Sequence, residues 1–354
     1  MKIYKITLKL STKFRDLSNL IWLRYPHPLS LRIGGIEVRD PNAVAKIKDG
    51  LKEVKSDLEK LFYIALELRE FYRGLYKDIG ADFVAYGLLE SHDYNARYEE
   101  MDKWASKRFI PPALFKNGEL VTRNLRDILL LGVRVHIEST AYESWDQTLF
   151  EDSLGNKVDL HHPWNKETKV KKLTGDYLFT VKQAIDSERF MLSTGDLARL
   201  LSYRTAKGKP KVLNYEWDYV ANDVIERFFD GVFTVALLYD YIIKVEESKD
   251  FSQKSRYEEN ELAVGAHDAP RGDNAHWIIQ KGGIILRYRI ITLTDRNFSS
   301  NGGPVEKSIV GHRITEENEK IEGLDALRVI RSFDSCSACA VHIITLSNNI
   351  VKLL

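Results

Sequence analysis

Arg331-Ser-Phe-Asp-Ser-Cys336-Ser-Ala-Cys339-Ala-Val-His342 places two thiols and an imidazole at successive three-residue intervals near the end of a 354-residue chain. In a turn or the first turn of a helix, that spacing can aim all three groups at one point. Thiolate and imidazole select soft or borderline metals such as nickel, zinc, or iron in clusters. Spacing alone leaves three readings open: buried structural cysteines, a structural zinc or other metal, and redox or catalytic use. These are the only 2 cysteines of the chain. A disulfide framework holding a small secreted domain would need more of them, better spread.

Working outward, 44% hydrophobic content over 354 residues is enough to bury a sizeable core, as one large domain or two smaller ones, and argues against disorder. The 52 Lys and Arg nearly cancel the 51 Asp and Glu, leaving a net charge of +1. No global field therefore draws the chain to nucleic acid or to an anionic membrane. Met1 to Asp16 contains no apolar run of signal-peptide length, and the longest apolar stretch, Val232 to Tyr239, is far too short to span a bilayer. The expected location is the cytoplasm, or a membrane reached through partner subunits.

Asp40-Pro41 opens the clearest helix, with Val44, Ile47, Leu51, Val54, Leu58, Leu61, Ala65, Leu68, Phe71 and Leu75 on one face and Gly80 as its stop. Further helices are expected from Ser193-Thr194 to Lys207 and from Tyr215 to Val245, the latter with Val220, Val224, Phe228, Val232 and Val235 near helical spacing and Gly231 weakening its middle. His276 to Gln280, Lys281-Gly282-Gly283 and Ile284 to Thr294 read as a β-hairpin. The region from Tyr86 to Asp186 is irregular. No internal repeat or low-complexity stretch is present. The fold class is thus mainly α with a β-rich segment (α+β), organised as one long domain.

The C-terminal stretch resembles the signature Arg-x-Phe-Asp-Pro-Cys-x-x-Cys-x-x-His of nickel-iron hydrogenase large subunits, with Ser335 in place of the proline. Other stretches resemble that family in its order. They are Tyr25-Pro-His27-Pro-Leu followed by Gly34-Gly35, His162-Pro-Trp164-Asn, Gly195-Asp-Leu-Ala-Arg199, and Ala269-Pro270-Arg271-Gly272 followed by His276-Trp277. Read without the resemblance, His27 and His162 are packed or capping histidines, Trp164 and Trp277 core anchors, and Arg271 a carboxylate's partner.

What the resemblance implies is more specific. Cys336 would bind nickel terminally, and Cys339 would bridge nickel to an iron carrying carbon monoxide and cyanide. Arg271 would stand over the centre beside Pro270, its multi-donor charge near the open coordination site. Thr294 would donate to a cyanide, and His342 would help hold a magnesium or iron ion. Around Thr294 the usual Pro-[Ser/Thr]-Thr-Trp-Asn is altered, with Leu293, Asp295 and Arg296 at the changed positions and Asn297 retained; His267-Asp268 stands where Thr-Glu is usual.

The implied architecture is the helical-bundle core of that large subunit, N-terminally truncated. Residues 1–24 are unassigned, 25–342 form the large-subunit-like domain, and 343–354 resemble the extension that a maturation protease removes. The family's first cysteine pair, in an Arg-x-Cys-Gly-x-Cys segment, is not in this sequence. The expected function is heterolytic cleavage or formation of dihydrogen, with a separate chain supplying that pair and an iron-sulfur small subunit taking electrons. A noncatalytic truncated paralogue without a nickel-iron centre and a structural zinc module at Cys336, Cys339 and His342 are the alternatives.

Overall fold

The computed structural model describes residues 2–32, 35–73, 82–89, 98–139, 142–145, 162–163, 167–170, 177–185, 188–218, 227–244, 261–310, 324–334, 341–344 and 350–353. In chain order the elements begin α1 (Lys2–Trp22), β1 (Leu31–Arg32), β2 (Gly35–Ile36), α2 (Ala43–Tyr72), β3 (Phe83–Ala85), α3 (Met101–Ala105), β4 (Ala113–Lys116) and β5 (Glu119–Thr122). After a π-helical turn at Asp127–Gly132 come β6 (Val133–Ser139), β7 (Tyr142–Trp145), β8 (Glu167–Val170), β9 (Tyr177–Ile185), β10 (Glu188–Phe190), α4 (Asp196–Lys207), β11 (Lys211–Val212), β12 (Tyr215–Glu216) and α5 (Arg227–Lys244). The C-terminal part holds β13 (Glu261–Ala269), β14 (Gly272–Lys281), β15 (Ile284–Thr292), α6 (Leu293–Asn297), α7 (Pro304–Ile309), α8 (Leu324–Ser332), β16 (Val341–Ile344) and β17 (Ile350–Leu353). The fold is mixed α+β, as expected. It divides into two compact units, each assembled from separated stretches of chain.

The first unit takes Met1–Tyr72, Lys209–Asp218 and Phe228–Tyr257. Its N-terminal stretch, unassigned from sequence, is the helix α1, whose Leu10 and Leu17 are buried. Leu17 joins Leu51 and Leu58 of α2 and Tyr239 of α5 in one apolar cluster, with Phe14 and Leu20 against it. The helices approach closely at Gly50, where a Cβ would stand 2.3 Å from Leu17 Cδ2. Lys9 and Lys13 reach across to Asp57 at 2.5 Å and Glu53 at 2.6 Å.

Helix α2 starts as its sequence promised, since the Asp40 carboxylate accepts the Asn42 N–H at 2.9 Å and Lys46 Nζ at 2.6 Å. Its described end is Tyr72, and the expected stop at Gly80 and Leu75 lie outside the described residues. Phe71 is exposed rather than inward; Phe62 is the fully buried aromatic of this helix, its ring 5.8 Å from those of Phe229 and Phe233.

The expected helix from Tyr215 is corrected. Tyr215 pairs with Val212 in a hairpin whose turn residues Leu213 and Asn214 both have positive φ, and helix is described only from Arg227. Two left-handed residues in succession cannot continue a helix. Within α5, Phe228 and Val235 point outward, while Phe229, Phe233, Ala236 and Leu237 are buried.

The second unit takes Arg73–Gly208, Tyr219–Arg227 and Glu258–Leu354. Its core gathers Val133 and Val135 of β6, Val181 of β9, and Ala275, Trp277 and Ile291 of the hairpin. That hairpin follows the sequence reading, with Lys281 paired to Ile284 across Gly282 and Gly283 at φ 57° and 73°, except that its second strand ends at Thr292 and Leu293-Thr294 open α6 under the Thr292 cap. The sequence reading missed β13, which pairs along the whole of β14 from Glu261↔Gln280 to Ala269↔Gly272. The stretch read as irregular carries strands because β6 pairs with β9 across a long sequence separation, Val135 opposite Val181, and short alternating runs declare themselves poorly without their partners. Past the signature, β16 and β17 form an antiparallel hairpin with His342 opposite Lys352. Among the described residues no helix is long and apolar enough to cross a membrane.

Trp277 is fully buried at the centre of this core. Trp277→Ala is expected to cost about 3–5 kcal/mol in denaturant unfolding, whereas Val310→Ala, at an exposed site, should stay within about 0.5 kcal/mol.

Candidate functional site

Pro270 and Arg271 form the two-residue tip between β13 and β14, closed by the pair Ala269↔Gly272. Three other segments of the second unit meet this tip: the approach to α4 at residues 193–199, the helix α6, and Phe333-Asp334 at the end of α8.

Arg199 holds the tip from one side. Buried almost completely, it donates Nη1 to Ala269 O at 2.6 Å and Nη2 to Pro270 O and Asp196 Oδ1, each at 2.7 Å. On the other side the Asp273 N–H donates to Thr194 Oγ1 at 3.0 Å. Thr194 is itself fixed by Asn297, whose Oδ1 accepts the Thr194 N–H at 3.0 Å and whose Nδ2 donates to Thr194 O at 3.2 Å. Arg227 adds bonds to Thr194 O at 2.5 Å and Ser193 Oγ at 2.9 Å. The fit requires glycine at 272, which has φ 142°; a Cβ there would stand 2.9 Å from Thr194 Cγ2 and 3.1 Å from Gly195 N.

With its backbone held from both flanks, Arg271 directs its side chain outward, and Nε donates to Asp334 Oδ2 at 2.8 Å. Two sequence-predicted stretches far apart in the chain thereby meet. Phe333, buried, lies under the Arg227 guanidinium at 4.2 Å and against the Phe298 ring at 6.4 Å. The Asp334 N–H closes on Arg331 O at 2.9 Å, and Asp334 takes a left-handed φ of 48°. Cys336 and Cys339 lie outside the described residues, and of His342 only the strand placement is described. Pro270 is exposed, and Thr294 is half-buried in α6.

Helix α6 is joined to the tip by charge. Asp273 and Arg296 form a fully buried ion pair through Arg296 Nε, and Arg296 Nη2 donates to the Tyr86 hydroxyl. The altered residues around Thr294 are thus structurally coherent. Asp295 completes a capping box with Thr292, Leu293 is buried, and Arg296 has its counter-ion. Asp268, buried one residue before Ala269, accepts the Tyr86 and Gly87 N–H groups, each at 3.1 Å. Burial raises its pKa to about 6, against the lowering pull of Arg199. Burial likewise pushes Asp273 and the Tyr86 hydroxyl upward.

Of the other quoted residues, His162 is buried edge-on to Trp277 at 6.4 Å, His27 is exposed, and Trp164 lies outside the described residues. His276 stacks on Tyr288, its Nδ1 2.5 Å from the hydroxyl, and burial lowers its pKa. Sequence reasoning missed Arg227 and the pairing of Asp273 with Arg296, because polar residues in a loop or near a helix end read as surface. Arg199 had a signal in its quoted motif, but nothing there announced that its targets are carbonyls.

The model of the family described as nickel-dependent hydrogenase matches residues 224–342. The hydrogenase-2 large chain of Escherichia coli K12 is 40% identical over 91 residues, covering 24% of this chain and 16% of that protein. The quinone-reactive Ni/Fe-hydrogenase large chain of Wolinella succinogenes is 34% identical over 111 residues, covering 30% and 17% respectively. The chain thus spans less than a fifth of these curated relatives. The actinobacterial-type NiFe-hydrogenase structure from Ralstonia eutropha H16 superposes with a TM-score of 0.78 at 25% identity, over 95% of this chain and 70% of that one.

Gly272→Ala should destabilise the chain by about 2 kcal/mol or more, from left-handed strain together with overlap on Thr194, read as a fall in the denaturation midpoint. Asp268 gives a pH signature. Its folded pKa, about 6, lies above the 3.8 of the free carboxyl. Its protonation therefore adds stability that is fully present below about pH 4 and lost as pH rises through 6, worth about 3 kcal/mol. In urea titrations across pH 4 to 7, wild type should lose ground steadily to Asp268→Asn; a constant difference would contradict the assignment.

Proposed function

We propose that this chain is a relative of the nickel-dependent hydrogenase large subunits, whose family model matches residues 224–342, and that it supplies half the ligands of a nickel-iron centre that cleaves or forms dihydrogen. The ion pair between Arg271 and Asp334 is the observation that carries the reading. It joins the tip bearing the family arginine to the stretch that leads, two residues on, into Cys336.

The donor set fits the group in kind and by half in number. Thiolates suit nickel and iron, and the sequence holds 2 cysteines where the family centre uses four. The second pair would come from polypeptide outside these residues. When bound, the nickel-iron group with its carbon monoxide and cyanide ligands supplies heterolytic splitting of dihydrogen into two electrons and two protons.

The chain's own residues have distinct tasks. Cys336 and Cys339 would hold the nickel-iron group through their thiolates, and Cys336 or its counterpart in the other cysteine pair would accept a proton. Arg271 presents a charge that cannot be lost by deprotonation and several N–H donors, suited to anionic ligands in a pocket shielded from water. Asp334 limits its swing. Pro270, without an N–H, would form the adjoining wall, and the Thr294 hydroxyl could donate to a cyanide of the bound group. His342 helps hold a magnesium or iron ion. Electrons leave through an iron-sulfur small subunit. A maturation protease acts beyond His342, and the assembly sits in the cytoplasm or on a membrane through its other subunits.

The test is nickel content by mass spectrometry alongside dihydrogen-dependent dye reduction, with and without a chain carrying Arg-x-Cys-Gly-x-Cys, the small subunit and the maturation proteins. The 354-residue chain alone should turn over no dihydrogen, and the assembled complex should bind near-stoichiometric nickel. Cys339→Ala should abolish both. Arg271→Lys should keep nickel and lower turnover by about a hundredfold, since a lysine loses the forked donors. Zinc at Cys336, Cys339 and His342 with no nickel in any assembly would instead support a zinc module, and the absence of any metal a noncatalytic paralogue.

A further inference from the structure

We infer that Asp273 and Arg296 are a positioning pair that sets the placement of Arg271 relative to the helix carrying Thr294, acting through backbone rather than by contact with the reacting atoms. The inference rests on the proposed hydrogenase reading for its consequence, but its geometry stands independently.

Asp273 follows Arg271 by two residues, and the glycine between them is pressed against Thr194. The backbone on the N-terminal side of Arg271 is held by Arg199. On the C-terminal side Asp273 is held twice, by Thr194 through its N–H and by Arg296 through its carboxylate. Arg296 uses separate arms, Nε for Asp273 and Nη2 for Tyr86, so it binds the tip and the 86–87 segment to α6 at once. Only a guanidinium has the fork to span both. Asp268 draws the same 86–87 segment to β13 from the other flank.

Stability alone does not account for the pair. Both residues are essentially inaccessible, and among the described residues Asp273 Oδ1 and Arg296 Nη1 are buried without a hydrogen-bond partner. Removing an incompletely satisfied buried pair in favour of apolar side chains is commonly neutral or stabilising, whereas removing one partner alone is strongly destabilising. What the pair adds is a directional link between three segments that apolar packing would leave free to slide. Arg296 stands where the related signature has tryptophan, so this link belongs to this chain's version of the site.

The experiment compares full-length wild type, Asp273→Ala, Arg296→Lys and the double variant Asp273→Ala/Arg296→Met by thermal unfolding and amide hydrogen exchange. The double variant should unfold within about 5 °C of wild type, while exchange in the peptides spanning 268–276 and 293–298 rises at least tenfold and the rest stays unchanged. Asp273→Ala should lower the midpoint more than the double variant does. Arg296→Lys should show intermediate local exchange, because one ammonium cannot replace both arms. In the assembled complex the double variant should retain its nickel and lose about tenfold in kcat with KM unchanged. Unchanged local exchange in the double variant would overturn the inference; so would a uniform rise across the chain with a large fall in midpoint, which would make the pair merely stabilising. An inactive wild-type complex would count against the hydrogenase reading alone, since the exchange measurement needs no metal.

Discussion

A side chain directed outward cannot anchor its own backbone, and the site is organised around that constraint. Arg271 has its guanidinium committed to Asp334, so the tip that carries it must be fixed by other groups gripping its carbonyls and amides. Arg199 grips two successive carbonyls, which is why a nearly inaccessible arginine sits at the start of α4. Each of these bonds is charge-assisted and shielded from water, conditions under which such bonds are strongest. Asn297, Thr194 and Gly272 then follow: the first holds the second, and the second leaves room only for the third.

Burial divides the ionisable groups around the tip into two kinds. Arg199, Arg227 and Arg296 grip carbonyls, a hydroxyl and a carboxylate through forked N–H donors. Asp268, in contrast, lies within reach of mildly acidic conditions. Asp268 sits where β13 meets the 86–87 segment, and Asp273, also pushed upward by burial, sits against Arg296.

Several elements were legible in the sequence because their signals are local. Gly282-Gly283 between β-branched runs specified the hairpin, and Asp40 specified the start of α2. The quoted motifs also contain Arg199, Arg271 and Asp334. Other features depend on partners distant in sequence. The apolar residues of α1, Leu10, Phe14 and Leu17, are spaced for a helix but separated by lysines whose counter-ions lie on α2. Strand β13 is recognisable only beside β14, and β6 only beside β9. The Asp273 and Arg296 pair was the least legible, since a charged residue in isolation reads as solvated, and only tertiary structure supplies the partner that permits its burial.

Asp334 performs two tasks that make opposite demands on side-chain chemistry. Its left-handed backbone turns the chain off α8, and its carboxylate reaches Arg271. Glycine would suit the backbone but carries no charge, and asparagine tolerates the conformation but is neutral. Glutamate keeps the charge on a longer stem with less tolerance of that conformation. The acceptable alphabet at this position shrinks to nearly one letter, for reasons that neither the helix end nor the ion pair would impose alone. Positions where two weak preferences intersect in this way become immutable without any single strong interaction, and a mutational scan would find here a sharper minimum than energy per contact would suggest.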